Sequence, residues 1–289
     1  MYRFALILFA MLGQFASAEA QQPIIADELV LDDTHPYAAT YFKDTSGLTP
    51  RQVTVDPSQK TIVLIVAGQS NMTTLLPTMY IPRNSEAISQ FNIYDGHFYP
   101  VQGPVLGTNL SLGPGNLTVR LCDLLAETRG ISQVILVNIA MDGAQVSDYG
   151  PSGTLYERGA VAMKRLAARG LSLSTKSVEF IFVYGQGESG FDTNQSIYAA
   201  GLADIKAKML ASGFKGRFFW NLETWVKGST KPAIRAAQAS MADGVTSFVG
   251  GDLDTLDASY RYPDDIHFND NGGAAAAQLM FSAIVATER

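Results

Sequence analysis

Cysteine is almost missing from this chain. Cys122 is the one thiol in 289 residues, which excludes an intramolecular disulfide and a zinc site built on cysteines. Histidine is scarce too. His35, His97 and His267 are all there are, too few for a cluster of imidazole ligands, so histidine chemistry has to use one of them. Positive charge is in deficit, with 21 Lys+Arg against 27 Asp+Glu, a formal charge of −6 and a pI near 5.1. A nucleic-acid partner, which needs a basic face, is therefore not expected. No repeat or low-complexity tract occurs, and the most apolar stretch, Phe4 to Leu12, is too short to anchor across a bilayer. With 47% hydrophobic residues, 17% charged residues and a mean hydropathy of +0.08, the composition is that of an ordinary globular protein.

The N-terminus reads as a leader. Arg3 supplies the positive start, Phe4 to Leu12 the apolar run, and Ala16-Ser17-Ala18 the small-x-small pattern of a cleavage site. Residues 1–18 are expected to be a signal peptide, and their removal takes away only Arg3 among the charged residues, so the mature charge becomes −7. Export of a chain with one free thiol suits a bacterial periplasm or the medium better than a disulfide-rich secreted setting. Residues 19–58 form a polar, aperiodic extension, with a short strand expected around 28–31 and His35 solvated. Residues 59–289 are expected to form one domain, long enough for a sizeable core.

That domain alternates in type. Thr61–Ala67 is a continuous β-branched run, which suits a strand buried on both faces, and similar runs follow at 134–139, 178–183, 218–222 and 246–249. Helical spacing fills the gaps at 117–129, 155–168, 197–210 and 233–241, with glycine stops, and a small-residue helix closes the chain at 273–287. Five strands alternating with helices predict an α/β fold: a three-layer α/β/α sandwich around a five-stranded parallel sheet.

In such sheets ligands bind at the carboxyl ends of the strands, where three loops carry chemistry. In Gly68-Gln69-Ser70-Asn71-Met72, glycine allows a sharp turn that presents the Ser70 hydroxyl with its own N–H nearby, although a serine there is also an ordinary helix cap. In Gly185-Gln186-Gly187-Glu188-Ser189, glycines bracket Gln186, whose NH2 can donate to an oxyanion. In Asp264-Asp265-Ile266-His267-Phe268, an Asp three residues before a His can hold one ring nitrogen and leave the other free as a base. Other prominent residues have plainer readings. His97 belongs to a turn, Trp220 and Trp225 to core or rim, and Cys122 to a buried helix face; Asp252, Asp254 and Asp257 form a solvated acidic loop without the spacing of a calcium site.

Taken together, the three loops resemble the SGNH-hydrolase superfamily in its sialate O-acetylesterase-like branch, which includes carbohydrate esterase family six. Gly68–Met72 is similar to block I, Gln186–Ser189 to the Gln-Gly-Glu-Ser block, Asp264–Phe268 to the terminal Asp-x-x-His block, and Leu112-Gly113-Pro114-Gly115 to the Gly-Pro-Gly block. The four ordered motifs span roughly residues 61–285. The resemblance implies a flavodoxin-like SGNH hydrolase fold and hydrolysis of O-acetyl esters on carbohydrates, with no metal or organic cofactor. It implies Ser70 as nucleophile, His267 as general base and Asp264 as its orienting carboxylate, with Glu188 the competing partner or a substrate contact. The oxyanion hole it implies uses the Ser70 N–H, an N–H at Gly113 or Gly115, and the Gln186 amide. Met141-Asp142-Gly143-Ala144-Gln145 departs from the glycine-rich stretch common in the family. An acetylated carbohydrate is thus the expected partner, and acetyl transfer to a polysaccharide or non-catalytic carbohydrate binding are the alternatives.

Overall fold

The β-branched run after the extension forms β1 (Lys60–Gly68), the middle strand of a seven-stranded sheet in a computed structural model that describes residues 43–288, apart from 74, 110, 111, 173, 174, 189 and 192. The expected signal peptide, the strand at 28–31 and His35 lie outside the described residues. The other strands are β2 (Ile88–Phe91), β3 (Phe98–Pro100), β4 (Ile131–Asn138), β5 (Val178–Gly185), β6 (Arg217–Leu222) and β7 (Ser247–Asp252), in the order β3-β2-β4-β1-β5-β6-β7. All neighbours are parallel except β2 and β3.

The α/β class and the five expected strands are all present as β1 and β4 to β7. The sheet exceeds the five-stranded expectation by β2 and β3. These are short, and β2 reads Ile-Ser-Gln-Phe, so no apolar run announces it. Its polar side chains are nevertheless buried, because Gln90 Nε2 donates to the Pro100 carbonyl at 3.0 Å and its Oε1 accepts from Leu106 N–H at 2.9 Å. Satisfying the amide at both ends is what permits a glutamine there. Beside β3, Arg51 of the extension bridges Phe98, and Val53 and Val55 lie on the core.

Among the described residues five α-helices cover the sheet: α1 (Leu117–Ala126), α2 (Arg158–Ala168), α3 (Gln195–Ala211), α4 (Pro232–Ser240) and α5 (Asp270–Val285). Successive side chains of β1 point to opposite faces. Val63, Ile65 and Ala67 share one core with Ala162, Leu166, Tyr198, Leu202, Ile234 and Ala237, whereas Ile62, Leu64 and Val66 share the other with Leu121, Leu125, Ala277 and Ile284. Hence α2, α3 and α4 lie on one face and α1 and α5 on the other. Cys122 is buried in the second core and Trp220 in the first, as the sequence indicates.

The order places β4 on one side of β1 and β5 on the other, so the chain reverses its direction of travel across the sheet at β1. A crevice opens where such a reversal occurs, beyond the carboxyl ends of the strands. The Gly68 and Gln186 loops both begin there.

Candidate active site

Gly68 and Gly185 end adjacent strands and are paired in register. Gly68 has φ +123°, and a Cβ on it would run into the Gly185 carbonyl oxygen. Only glycine tolerates both conditions. The close approach lets Gln69 N–H donate to that carbonyl at 2.9 Å and carries Ser70 into a single 3-10 turn, Ser70–Met72. The turn is braced from three directions. Tyr149 Oη donates to the Gly68 carbonyl at 2.7 Å, Asn138 Nδ2 to the Met72 carbonyl at 2.8 Å, and Thr73 Oγ1 to the Ser70 carbonyl at 2.6 Å.

Ser70 is 197 residues from His267 in sequence, yet its Oγ lies 2.9 Å from His267 Nε2. His267 Nδ1 is 2.7 Å from Asp264 Oδ2. Asp264 Oδ1 also accepts from the backbone N–H groups of Ile266 and His267, at 2.9 and 3.1 Å. Burial works against the Asp264 charge, but the imidazole and these two N–H groups outweigh it and hold the carboxyl below its ordinary range. The fixed carboxylate assigns the Nδ1 proton and leaves Nε2 to accept from Ser70. Arg261 supports the loop by donating to the Ile266 carbonyl at 2.6 Å, and Trp225 Nε1 donates to Asp265 Oδ1 at 2.9 Å, so Trp225 sits on the rim beside the histidine loop.

The remaining expected residues are arranged differently. Glu188 is buried, and its two oxygens accept from Val146 N–H and Thr193 Oγ1. It is used up in holding the 146 segment, while the His267 ring nitrogen that a carboxylate would take belongs to Asp264. Gln186 is adjacent to Ser70, but the end facing it is the carbonyl: Oε1 lies 3.1 Å from Ser70 Oγ, whose proton goes to His267, and accepts from Asn71 N–H at 3.4 Å. The expected NH2 donor is thus an acceptor in this arrangement, because the Asn71 N–H has to be matched by an oxygen. Gly115 is not available as an oxyanion donor, since its N–H is committed to the Leu76 carbonyl at 2.9 Å in an isolated antiparallel bridge. Gly113 abuts the same segment, with the Leu76 carbonyl where a Cβ would be. The Gly-Pro-Gly stretch therefore provides close backbone packing. The Ser70 and Gly113 N–H groups are the expected donors that have no acceptor among the described residues. Met141–Gln145 runs alongside, joined to the Ser70 loop by Met141 N–H to the Gly68 carbonyl at 3.0 Å and by Gln69 Nε2 to the Ala144 carbonyl.

Two residues without an expected role stand at the centre. Asn71 donates through Nδ2 to Glu223 Oε1 at 2.7 Å and accepts through Oδ1 from Phe268 N–H at 3.1 Å. Glu223 follows β6 directly and is fully buried, which pushes its carboxyl up to about 7 against the opposing pull of Asn71 and Arg261. A carboxyl immediately after a buried strand run, on the ligand edge of the sheet, was the signal for it in the sequence. Elsewhere Asp252 and Asp254 are not a solvated loop: both pair with Arg235, and Asp254 also takes the N–H groups of Thr224 and Trp225 at 2.6 and 2.9 Å. His97 is buried behind its turn, with its N–H on Asp95 Oδ1 at 2.8 Å.

No protein-family model matches the chain. No curated protein matches it either. Among solved structures, a protein from Arabidopsis thaliana aligns over 78% of this chain and 98% of its own, at 12% identity and a TM-score of 0.58. A carbohydrate acetylesterase from Xanthomonas citri aligns over 78% of this chain and 56% of its own, at 16% identity and a TM-score of 0.50. A lipase/acylhydrolase from Enterococcus faecalis covers 78% and 96%, at 12% identity and a TM-score of 0.43. The α/β fold of this chain is thus one shared with the Arabidopsis thaliana protein and the Xanthomonas citri carbohydrate acetylesterase.

Proposed function

We propose that this chain is a serine esterase that removes O-acetyl groups from a carbohydrate, in the manner of the sialate O-acetylesterase-like branch of the SGNH hydrolases. The observation that carries the reading is the unbroken chain from Ser70 Oγ to His267 Nε2, at 2.9 Å, and from His267 Nδ1 to Asp264, at 2.7 Å. Ser70 Oγ attacks the acetyl carbonyl carbon as its proton passes to His267 Nε2. The Asp264 carboxylate stabilises the imidazolium that results. The negative charge on the former carbonyl oxygen meets the Ser70 N–H, and a donor of this kind contributes on the order of 3 kcal/mol to the transition state. The intermediate then collapses: the bond to the sugar oxygen breaks, that oxygen takes the proton from Nε2, and an acetyl-serine is left. Water attacks the acetyl-serine with His267 again as base, releasing acetate and restoring Ser70.

Acetylated carbohydrate as substrate rests on the four sequence blocks, with the Xanthomonas citri acetylesterase as a fold neighbour. Purified protein lacking residues 1–18, assayed on a short-chain ester series and then on acetylated polysaccharides, tests it. Acetyl esters should turn over fastest, acetate should be released from the polysaccharide, and Ser70→Ala should abolish both activities while staying folded. A Ser70→Ala protein keeping more than a few per cent of the rate would remove Ser70 from the chemistry.

The leader pattern supports export to the periplasm or medium. Among the described residues no helix is long and apolar enough to cross a membrane. Mass analysis of exported protein should find a chain beginning at Glu19 or close to it, and intact Met1 would overturn this part of the reading.

A further inference from the structure

Glu223 belongs to none of the motifs, yet three loops of the site converge on it. Its backbone carbonyl accepts from Gly187 N–H at 2.6 Å, which ties it to the Gln186 loop. Its side chain holds Asn71, next to Ser70, at 2.7 Å. Asn71 in turn holds Phe268 N–H, next to His267, at 3.1 Å. Glu223 is itself clamped by the Gln238 amide of α4, which accepts from Glu223 N–H at 3.2 Å and donates to its carbonyl at 3.3 Å. The second oxygen, Oε2, is buried without a partner among the described residues and sits where a Cβ on Gly185 would come within 2.6 Å of it.

We propose that Glu223 is a positioning residue which, through Asn71, holds the Ser70 loop and the His267 loop at the separation that lets Ser70 Oγ meet His267 Nε2. The proposal rests on the esterase reading for its effect on rate, and on geometry alone for the coupling of the two loops. An asparagine amide has one donor end and one acceptor end. Asn71 uses the first on Glu223 and the second on Phe268, so removing the carboxyl frees the amide to turn and releases the Phe268 N–H. A small displacement of reacting groups caused by a change outside the chemistry can cost about 10²-fold in rate. A buried carboxyl with one unpartnered oxygen is costly, and a purely structural position would be better filled by an apolar residue.

The test uses the mature protein with Glu223→Met, which fills the space without an acceptor, Glu223→Gln, which restores one, Asn71→Ala, and Asn71→Ala with Glu223→Met. On 4-nitrophenyl acetate, Glu223→Met should lower kcat by roughly 10²-fold with KM within about twofold, and Glu223→Gln should recover most of that loss. The double variant should be no slower than Asn71→Ala alone, because both substitutions break one relay. Losses that multiply, or a Glu223→Met effect confined to KM, would overturn the proposal. A second measurement needs no activity: amide exchange at Phe268 should accelerate in Glu223→Met and Asn71→Ala and stay slow in Glu223→Gln. Unchanged exchange in Glu223→Met overturns the coupling even if that variant is slow. Should Glu223→Met fail to fold, Asn71→Ala and Glu223→Gln carry the exchange measurement, and unchanged exchange at Phe268 in Asn71→Ala overturns the proposal. If the wild type hydrolyses no ester and the exchange still responds, the esterase reading fails while the coupling stands.

Discussion

Asp264 and Glu188 are both acidic residues on loops of the site, and their surroundings divide their roles. Asp264 gives one oxygen to the His267 ring and the other to two backbone N–H groups of its own loop. Glu188 gives both oxygens to donors elsewhere, Val146 N–H and Thr193 Oγ1. Asp264→Asn should therefore lower kcat by roughly 10³ to 10⁴-fold, as when a catalytic imidazole loses the carboxylate that sets its tautomer. Glu188→Gln should leave kcat within a few-fold of the wild type and appear as lost stability of about 1–3 kcal/mol, because one buried donor loses its acceptor. Steady-state rates on a small activated ester, with urea unfolding of each variant, separate the two. A Glu188→Gln enzyme slower than Asp264→Asn would reverse the assignment.

At the scale of elements, the contact between β1 and β5 sets the site. Gly68 places the Ser70 turn within hydrogen-bond reach of the Gly185 carbonyl, and its φ of +123° and lack of space exclude any side chain. Gly68→Ala adds strain and a clash in the middle of the sheet, each worth about 1–3 kcal/mol. The expected result is a lower melting temperature together with loss of ester hydrolysis, since the strand ends have to separate. Thermal unfolding and rate measured on the same preparation check this, and a Gly68→Ala enzyme with wild-type stability would show that the two loops do not depend on that approach. The edge strands β2 and β3 teach the converse: Gln90 is buried because Pro100 and Leu106 satisfy it, and neither partner is visible from the four residues of β2.

For the whole molecule, the buried Glu223 makes stability depend on pH in a definite direction. Its carboxyl is raised from an ordinary value of 4.5 to about 7, so the native state holds the proton more tightly than the unfolded chain does. Its contribution is fully present below about pH 4.5 and is lost as pH rises through 7. Glu223→Gln removes that titration. The melting temperature of the wild type relative to Glu223→Gln should therefore fall between pH 5 and pH 8, and a difference that stays constant across that range would show that the carboxyl is not held neutral. Asp264 acts in the opposite sense. Its depressed carboxyl adds stability that is present above its ordinary value of 3.8 and is lost as pH falls through its lower native value.

The sequence by itself determined what depends on neighbours along the chain. A β-branched run followed by Gly68 specifies a buried strand and a sharp exit, and Asp264 and His267, three residues apart, specify a contact that one loop can make alone. Both are short-range consequences of backbone geometry and side-chain reach. Tertiary structure decided everything that joins distant segments. Ser70 and His267 are 197 residues apart and meet only because two loops emerge on the same sheet edge. The Gln186 carbonyl, rather than its amide nitrogen, faces Ser70 because the Asn71 N–H stands opposite it. Gly115 loses its N–H to Leu76 for a like reason, as does Glu188 its two oxygens to Val146 and Thr193. A donor or acceptor in a sequence states a capacity. Which partner uses it is settled by packing, because a buried polar group has to be satisfied by whatever the fold brings beside it.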